Sequence, residues 1–382
     1  MANKINKKLL PIQQPEKLNI VILFPKDSEA IFSKHSTRTF GGATVQLYIL
    51  AKELSKNKNI NIISFIPRYN NITFEDKNNF TLLQMYNEND NIVKQVFSLH
   101  RAIKQTSPQI IVQRGLTLKS CLLSIYCKIR KIKFIFMFAH DIESHGQYQN
   151  SRKKCYLFKL LINCSSRLFA QNTYEYNTIL KYHQVANKLR ILKKGIEIPI
   201  IKKNPKKKFD CVWIARCERW KNPEIFIQLA EKNKKMKFLM ICSKVDQDIN
   251  FFEEIKSKAL SCGNIHFISF VPHTNIFKFL AISKVYCITS EMEGDWPMSF
   301  LEAGSCGLPI LSLHLNYDNI FQKYNVGFWN NSDFTALHKN LSILINDKKI
   351  YKTKSEGIQT FIKENYNLKK NVQNFLDEIT IL

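Results

Sequence analysis

The chain has 382 residues, of which 45% are hydrophobic, with 10 cysteines and a formal net charge of +26. This length exceeds what one hydrophobic core usually supports, so we expect two domains, and the hydrophobic content excludes a disordered or fibrous chain. No apolar run approaches the ~18 residues that a membrane-spanning helix needs. The cysteines include no Cys-x-x-Cys pair, which favours buried reduced thiols in a cytoplasmic protein over a zinc site or a disulfide framework.

The positive charge favours anionic partners: nucleic acid, a nucleotide ligand or an acidic membrane surface. A compositional bias toward Lys, Asn and Ile would produce the same charge, so charge alone selects none of them. Residues 151–170 interleave lysine and arginine with apolar residues. They predict either a basic amphipathic helix on anionic lipid or a core-packed helix with a solvated basic edge.

The first half of the chain alternates apolar runs with helical patterns. Residues 18–25 and 60–66 predict buried strands of a parallel sheet. Between them, Gly41 and Gly42 precede apolar residues at helical spacing over 43–54. Further strands are predicted at 110–113, 134–138, 169–172 and 189–192, and a helix at 118–127. Strand, glycine loop, helix and strand make up the first unit of an α/β sheet.

His140 and Asp141 follow the predicted strand at 134–138. Open α/β sheets bind their ligands at the carboxyl ends of the strands, so this imidazole and this carboxylate have a favourable position for chemistry. A purely structural, hydrogen-bonding histidine is the alternative.

A proline- and lysine-rich segment at 199–208 predicts a linker, after which the α/β pattern restarts. We therefore expect a first domain over 1–200, a basic linker over 201–208, a second domain over 209–365, and a terminal helix over 366–382 that could cross back to the first domain. Within the second domain, strands are predicted at 211–215, 238–242, 266–270, 285–289 and 310–313, a helix at 223–231, and two terminal helices over 350–382.

The stretch from Ser290 to Pro309 predicts an acidic loop, a short helix and a strand. Trp296-Pro297 predicts the helix start, and Gly307 predicts its end. The N-terminus of such a helix attracts anions through its free N–H groups and partial positive charge. Glu293 and Glu302 flank that end, which suits a ligand that carries phosphates and hydroxyls. A solvated acidic loop with an ordinary helical glutamate is the alternative.

Two α/β domains with these motifs resemble the GT-B glycosyltransferases, and most closely the retaining group called glycosyltransferase family four. The resemblance extends from about Asn19 to the terminal helices. It implies two doubly wound Rossmann-like domains that face each other across a cleft.

The resemblance implies roles for residues of the second domain. Arg216 and Lys221 have the spacing of the family's cations that hold the nucleotide diphosphate, and Arg219 is an additional candidate contact. Glu302 matches the glutamate expected to bind the ribose of the donor. Val271 matches the segment whose main chain contacts the base.

Glu293 and Gly294 match the family's pair that contacts the transferred sugar. This chain has one residue more than the family between its two glutamates, which we interpret as a loop insertion. Asp295 or Glu291 could therefore take the place of Glu293.

In the first domain, Gly41 and Gly42 resemble the family's loop whose backbone approaches the donor phosphate or the acceptor. His140 resembles the histidine at the reaction centre. In the run before the linker, Lys194 stands in place of the family's asparagine and Glu197 in place of its aspartate.

The resemblance implies transfer of a sugar, with retention, from a nucleotide-sugar donor to a glycan or lipid-linked acceptor, with no cofactor and with cations in place of a metal. A role in cell-surface polysaccharide synthesis would place the protein in the cytoplasm, at the inner membrane face, where the surface is anionic. A nucleotide-sugar 2-epimerase on the same fold is the first alternative. A basic nucleic-acid-binding protein is the second, although no nucleic-acid module is recognisable and no nucleic acid is expected as a partner.

Overall fold

A computed structural model describes residues 17–33, 36, 40–74, 76, 79–87, 89–139, 143, 152–198 and 205–382. The strands of its first half are β1 (Leu18–Leu23), β2 (Ile60–Ile66), β3 (Phe80–Gln84), β4 (Ile110–Arg114), β5 (Lys133–Met137), β6 (Arg167–Ala170) and β7 (Leu189–Ile191). Those of its second half are β8 (Phe209–Arg216), β9 (Phe238–Ser243), β10 (Ile265–Ile268), β11 (Ser283–Ile288), β12 (Ile310–Ser312) and β13 (Gly327–Trp329).

Within these residues the strands form two sheets in which every pair is parallel. The first sheet has the order β3-β2-β1-β4-β5-β6-β7, and the second has the order β10-β9-β8-β11-β12-β13. In each sheet the strand order reverses beside the first strand, which is the doubly wound topology. The predicted α/β fold class is confirmed.

Helices connect the strands in both halves. The first half contains α1 (Glu29–Phe32), α2 (Gly42–Leu54), α3 (Ile92–Thr106), α4 (Leu118–Ile129), α5 (Arg152–Cys164) and α6 (Thr173–Tyr182). The second half contains α7 (Pro223–Lys232), α8 (Ile249–Ser261), α9 (Ile276–Ala281), α10 (Met298–Ser305), α11 (Ile320–Lys323), α12 (Phe334–Asn346), α13 (Lys348–Asn365) and α14 (Leu368–Thr380). No helix in the described part of the chain is both long enough and apolar enough to span a membrane.

Central strands are apolar along their length because helices cover both faces of each sheet. In β1, the side chains of Ile20, Val21 and Ile22 are completely buried, although they alternate between the two faces. Ile20 pairs with Ile62 of β2 and with Ile110 of β4, so β1 is an interior strand of the first sheet.

The predicted basic helix at 151–170 is wrong in length and in its lipid-facing alternative. α5 ends at Cys164, and Arg167 lies buried in strand β6, 3.4 Å from Glu378. The apolar side chains Phe158, Leu161 and Ile162 are buried in the core of the first domain. Because the sheet already covers this face, it is not free to enter a bilayer, and the core-packed alternative is correct.

The last helix, α14, packs on the first domain. Leu368, Val372 and Phe375 are buried in the core formed by β1, β2 and α2. The ring of Phe375 lies 5.5 Å from that of Phe169 in β6. The chain therefore returns to its first domain after the second sheet is complete. α14 follows α13 of the second domain along the chain but packs on the first domain, so it links the two. The linker residues 199–204 lie outside the described residues.

Neither β3 nor α3 was predicted. β3 is an edge strand between polar segments, and its burial is partial. α3 keeps several large apolar side chains on its exposed surface, including Phe97 at 69% exposure.

Candidate functional site

One cleft of about 500 Å³ lies between the two domains. Pro25 after β1 and Gly115 after β4 line it from the first domain, and Arg216 of β8 and Ser290 after β11 line it from the second. These four positions flank the points at which the two strand orders reverse. Doubly wound sheets leave a ligand-binding crevice at such points, so the cleft is the candidate site.

Helix α10 points its N-terminus into this cleft, where Pro297, Met298 and Ser299 form part of the lining. The predicted start of this helix is wrong by one residue, because Pro297 is the extended N-cap residue and not the first helical residue. No side chain caps this end, so its backbone N–H groups remain available to an anion. The predicted end is confirmed, since α10 ends at Ser305 and Gly307 adopts a left-handed φ of +73°.

Lys221 and Glu293 form an ion pair in the cleft. The Lys221 ammonium donates a short hydrogen bond to Glu293 Oε1, and both side chains are only 9% exposed. Burial lowers the pKa of Lys221, and the negative charge of Glu293 partly offsets that effect. The ammonium also lies 3.9 Å from the ring centroid of Trp220. The predicted diphosphate-binding cation and the predicted sugar-binding carboxylate therefore contact each other.

Hydrogen bonds fix the backbone of both Lys221 and Glu293. The Thr289 hydroxyl donates to the Lys221 carbonyl at 2.6 Å and accepts from the Trp213 indole N–H at 2.9 Å. The Tyr317 hydroxyl accepts from the Glu293 N–H at 2.8 Å and donates to its carbonyl at 2.5 Å. The strand β11 and the loop after β12 thus fix the backbone at each end of the ion pair.

The two arginines near Lys221 differ in position. Arg216 lines the cleft and lies 3.0 Å from Glu218. Arg219 does not line the cleft, because it pairs with Asp248 at 2.8 Å and stacks over the Phe251 ring. Asp248, which ends the chain's one Asp-x-Asp sequence, caps the N-terminus of α8 and also lies outside the cleft lining.

Glu302 of α10 meets a residue that was not predicted. His273 Nε2 lies 2.7 Å from Glu302 Oε1, and the carboxylate is almost completely buried. The His273 ring in turn packs edge-to-face against Phe40 of the first domain. Val271, two residues earlier, also lines the cleft. A histidine directly after the Val271-Pro272 segment was the only signal in the sequence that could have revealed it.

Asp295, one of the two alternatives to Glu293, pairs with a lysine of the first domain. Asp295 Oδ2 lies 3.4 Å from the ammonium of Lys194, and both side chains are largely buried. Lys194 also donates to the Trp296 carbonyl at 2.9 Å, and the Tyr366 hydroxyl contacts Asp295 Oδ1 at 3.3 Å. Burial, together with the Asp295 charge, raises the pKa of Tyr366 well above its ordinary value.

Lys194 and Asp295 therefore form an ion pair between the domains. Asn172 of the first domain adds a hydrogen bond of 2.9 Å from its side-chain amide to the Gly294 carbonyl. Glu291, the other alternative to Glu293, is exposed and contacts the Asn222 amide at 3.2 Å. Of the three loop carboxylates, Glu293 is the one that pairs with Lys221.

The first-domain wall of the cleft contains the glycine pair. The Gly41 N–H donates to Asp27 Oδ2 at 2.5 Å, and the Thr44 hydroxyl donates to Asp27 Oδ1 at 2.5 Å. Asp27 was not predicted. A Cβ at Gly42 would lie 3.5 Å from Met298 Cγ, so the glycine loop closely approaches the start of α10.

Glu143 is a buried carboxyl on the same wall. Its oxygens accept hydrogen bonds from the N–H groups of Leu116 at 2.8 Å and Ala139 at 2.9 Å. Burial raises the pKa of Glu143 to about 7, while these two hydrogen bonds act to lower it. The carboxyl ties the end of β4 to the end of β5. His140 and Asp141, predicted at this end of β5, lie outside the described residues.

Residues 196–361 match the family model described as "Glycosyl transferases group 1". The chain is a homologue of the group 1 glycosyltransferases. An uncharacterized glycosyltransferase of Methanocaldococcus jannaschii is 23% identical over 383 residues, which cover 90% of this chain and 96% of that protein. The segment of this chain that matches the family model contains Arg216, Lys221, Glu293 and Glu302.

Solved structures support the same fold. Sucrose-phosphate synthase from Thermosynechococcus elongatus superposes with a TM-score of 0.76 at 11% identity, covering 94% of this chain and 98% of that one. HepE from Anabaena, in complex with UDP and glucose, superposes with a TM-score of 0.72 at 14% identity, covering 96% and 100%. The predicted GT-B fold of this glycosyltransferase homologue, with two Rossmann-like domains, is confirmed.

Proposed function

We propose that the protein is a retaining glycosyltransferase that moves a sugar from a nucleotide diphosphate donor to an acceptor hydroxyl. One observation carries the proposal: Arg216, Lys221, Glu302 and the N-terminus of α10 line a single interdomain cleft. Cations and helix N–H groups together stabilise a diphosphate, and a buried carboxylate is a suitable acceptor for the hydroxyls of a ribose.

The donor diphosphate would lie between the N-terminus of α10 and the side chains of Arg216 and Lys221. Its negative charge would draw the Lys221 ammonium away from Glu293, because the two anions compete for one cation. Glu293, released from its ion pair, would then accept hydrogen bonds from the transferred sugar. The ligand would therefore replace the ion pair of Lys221 with another one, while hydrogen bonds from the sugar hydroxyls would take the place of the ammonium at Glu293.

Glu302 would accept hydrogen bonds from the ribose hydroxyls, and His273 would act as a positioning residue. The short contact between His273 Nε2 and Glu302 Oε1 leaves the carboxylate restricted in orientation. The main chain at Val271 would contact the base, and the Gly41-Gly42 loop would approach the donor phosphates or the acceptor from the other wall.

In the proposed reaction, the acceptor oxygen attacks the anomeric carbon from the face that the diphosphate leaves. The bond between the anomeric carbon and the diphosphate oxygen breaks, and its electron pair stays on the diphosphate. The acceptor proton passes to that departing oxygen. Arg216, Lys221 and the dipole of α10 stabilise the growing charge, which is the role that a metal ion would otherwise fill. His140 is proposed to position the sugar at this centre.

We propose a glycan or lipid-linked acceptor at the cytoplasmic face of the membrane, in the synthesis of a cell-surface polysaccharide. With a net charge of +26, the protein would be attracted to the anionic cytoplasmic leaflet, as it would be to other anionic partners. The protein would associate with the membrane surface without spanning it.

Incubation with a panel of nucleotide sugars, with and without alkyl glycoside acceptors, tests the proposal. We expect release of nucleoside diphosphate that depends on the acceptor, and a product whose anomeric configuration, read by NMR, equals that of the donor. Conversion of the donor to its 2-epimer without any acceptor would instead establish the epimerase. Inversion of configuration would overturn the retaining mechanism. Strongly salt-dependent binding of duplex nucleic acid, with no response to nucleotide sugars, would overturn the enzyme.

A further inference from the structure

A second cavity, of about 470 Å³, lies in the first domain between α3 and α4. We call it the α3–α4 groove. One face of each helix forms its walls, and residues at the ends of β1 and β4 form its floor. Its volume is in the range of small-molecule binding sites. The apolar wall residues are Ile92, Val96 and Leu99 of α3 and Leu118, Leu122 and Leu123 of α4.

These helices do not close on each other as core helices do. Ile92 and Val96 remain 45% and 44% exposed, and Leu118 and Leu122 remain 54% and 44% exposed. Single exposed apolar side chains are ordinary, but here they share one concave surface. Such a surface gains free energy when another apolar group covers it. The walls therefore favour a hydrocarbon ligand.

Two cations lie at one end of the α3–α4 groove. The Lys119 ammonium lies 4.7 Å from the ring centroid of Tyr86 and contacts the Gln95 side-chain oxygen. Burial lowers the pKa of Lys119, and the positive charge of Lys26 lowers it further. Neither aspartate nor glutamate is found among the described residues that line the groove. An anionic group between Lys26 and Lys119 would relieve their repulsion.

The charged end of the groove is continuous with the interdomain cleft, because Pro25, Arg114 and Thr117 line both cavities. From Thr117, α4 carries the groove lining outward through Leu122 to Tyr126, whose hydroxyl meets His100 of α3 at 3.0 Å. A ligand with a charged end and a hydrocarbon end would thus have its charged end at the cleft.

We propose that the α3–α4 groove binds a hydrocarbon chain that carries a phosphate group, with the chain between α3 and α4 and the phosphate at Lys26 and Lys119. In the reaction, this molecule is the lipid part of the acceptor, and that assignment alone rests on the proposed function. The groove holds the lipid while its hydroxyl-bearing end reaches the donor in the cleft.

Isothermal titration calorimetry with decyl phosphate, below its critical micelle concentration, tests the binding directly. We expect saturable binding by the wild-type protein, weaker binding of decanol, and no binding of inorganic phosphate at the same concentrations. Leu122→Glu and Val96→Glu each place a carboxylate on the apolar wall and should weaken decyl phosphate binding at least about tenfold. Phe97→Glu and Ile129→Glu change exposed apolar residues of the same helices outside the groove and should leave it unchanged.

The phosphate end has its own test. Lys119→Gln should weaken decyl phosphate about tenfold and leave decanol binding unchanged, whereas Lys104→Gln, an exposed residue of α3, should alter neither. Should Leu122→Glu fail to fold, Val96→Trp fills the groove with an apolar side chain and should also abolish binding. Unsaturable binding, or equal affinities in the groove and control variants, would overturn the proposal.

The response to nucleoside diphosphates, measured in parallel, separates this proposal from the proposed function. If these nucleotides bind and decyl phosphate does not, the groove assignment fails while the transferase stands. If decyl phosphate binds and no nucleotide does, the groove stands and the transferase fails.

Discussion

The two walls of the cleft are built from different chemistry. On the second-domain wall, charged side chains meet in pairs, Lys221 with Glu293 and His273 with Glu302. On the first-domain wall, the carboxylates of Asp27 and Glu143 accept hydrogen bonds from backbone N–H groups of the same domain, and the glycine loop presents backbone. Beyond Pro25 and Arg114, the surface becomes the apolar α3–α4 groove. Paired charges can exchange partners with a charged ligand, whereas backbone and apolar surface select a ligand by shape. This difference is the basis for proposing that the second-domain wall holds most of the donor and that the first-domain wall leads to the acceptor.

Removal of the Lys221 cation from the second-domain wall should have the largest effect on activity. Lys221→Ala should reduce transfer by about 10²–10³-fold, because the leaving diphosphate loses a preorganised charge. Steady-state release of nucleoside diphosphate measures the loss. Arg219→Ala, which removes an exposed cation two residues earlier, is the matched control and should keep nearly full activity.

Lys221→Ala also leaves the Glu293 carboxylate buried without its cation, so part of any loss could come from instability. The double variant Lys221→Met/Glu293→Gln removes both charges and should fold stably but remain inactive. Normal turnover by this double variant would refute the role of Lys221.

The ion pair that joins the two walls should have the largest effect on stability. Asp295→Asn leaves the buried ammonium of Lys194 uncompensated and should lower the free energy of unfolding by about 3–4 kcal/mol. Urea denaturation measures the change. Glu291→Gln, an exposed carboxylate of the same loop, should change stability by less than about 0.5 kcal/mol. Equal effects of the two variants would show that the Asp295–Lys194 pair does not hold the domains together.

The first-domain wall should show a pH dependence of stability that comes from Glu143. Because its pKa in the folded protein is raised from 4.5 to about 7, the folded state binds more protons than the unfolded state between these values. Stability therefore falls as the pH rises through this window, and the full penalty is present above pH 7.

Glu143→Gln removes this titration. Relative to wild type, the variant should gain about 2–3 kcal/mol of unfolding free energy between pH 4.5 and pH 8, as measured by urea denaturation across that range. Glu364→Gln, an exposed carboxylate of α13, controls for the loss of one negative charge. A constant difference between Glu143→Gln and wild type across the range would contradict the raised pKa.

The sequence predicted the second-domain wall far better than the first. Arg216, Lys221, Glu293 and Glu302 lie in two short segments, where residue types and spacing along the chain are visible directly. The central strands were predictable as well, because residues such as Ile20 and Ile62 lie in apolar runs that parallel sheets require.

What the sequence could not predict depends on contacts between distant residues. His273 and Glu302 are 29 residues apart, and nothing in either segment identifies the other as its partner. Lys194 was a departure from a motif and Asp295 an alternative to Glu293, and only the fold brings them together. The α3–α4 groove is even harder to predict from the sequence, because it is the space that two helices leave between them. α3 itself was not predicted.

The claim that the interdomain cleft binds a nucleotide can be tested with nucleoside diphosphates, by thermal shift and calorimetry on wild type and Glu302→Gln. We predict that a ribonucleoside diphosphate raises the melting temperature of wild type. At one hundred times its dissociation constant, the ligand should stabilise the folded protein by about 2.7 kcal/mol. Its 2′-deoxy analogue should bind more weakly. Glu302→Gln should lose about tenfold in affinity and no longer distinguish the two, whereas Glu291→Gln should behave as wild type. Failure of every nucleoside diphosphate to bind, or unchanged affinity and discrimination in Glu302→Gln, would contradict the claim.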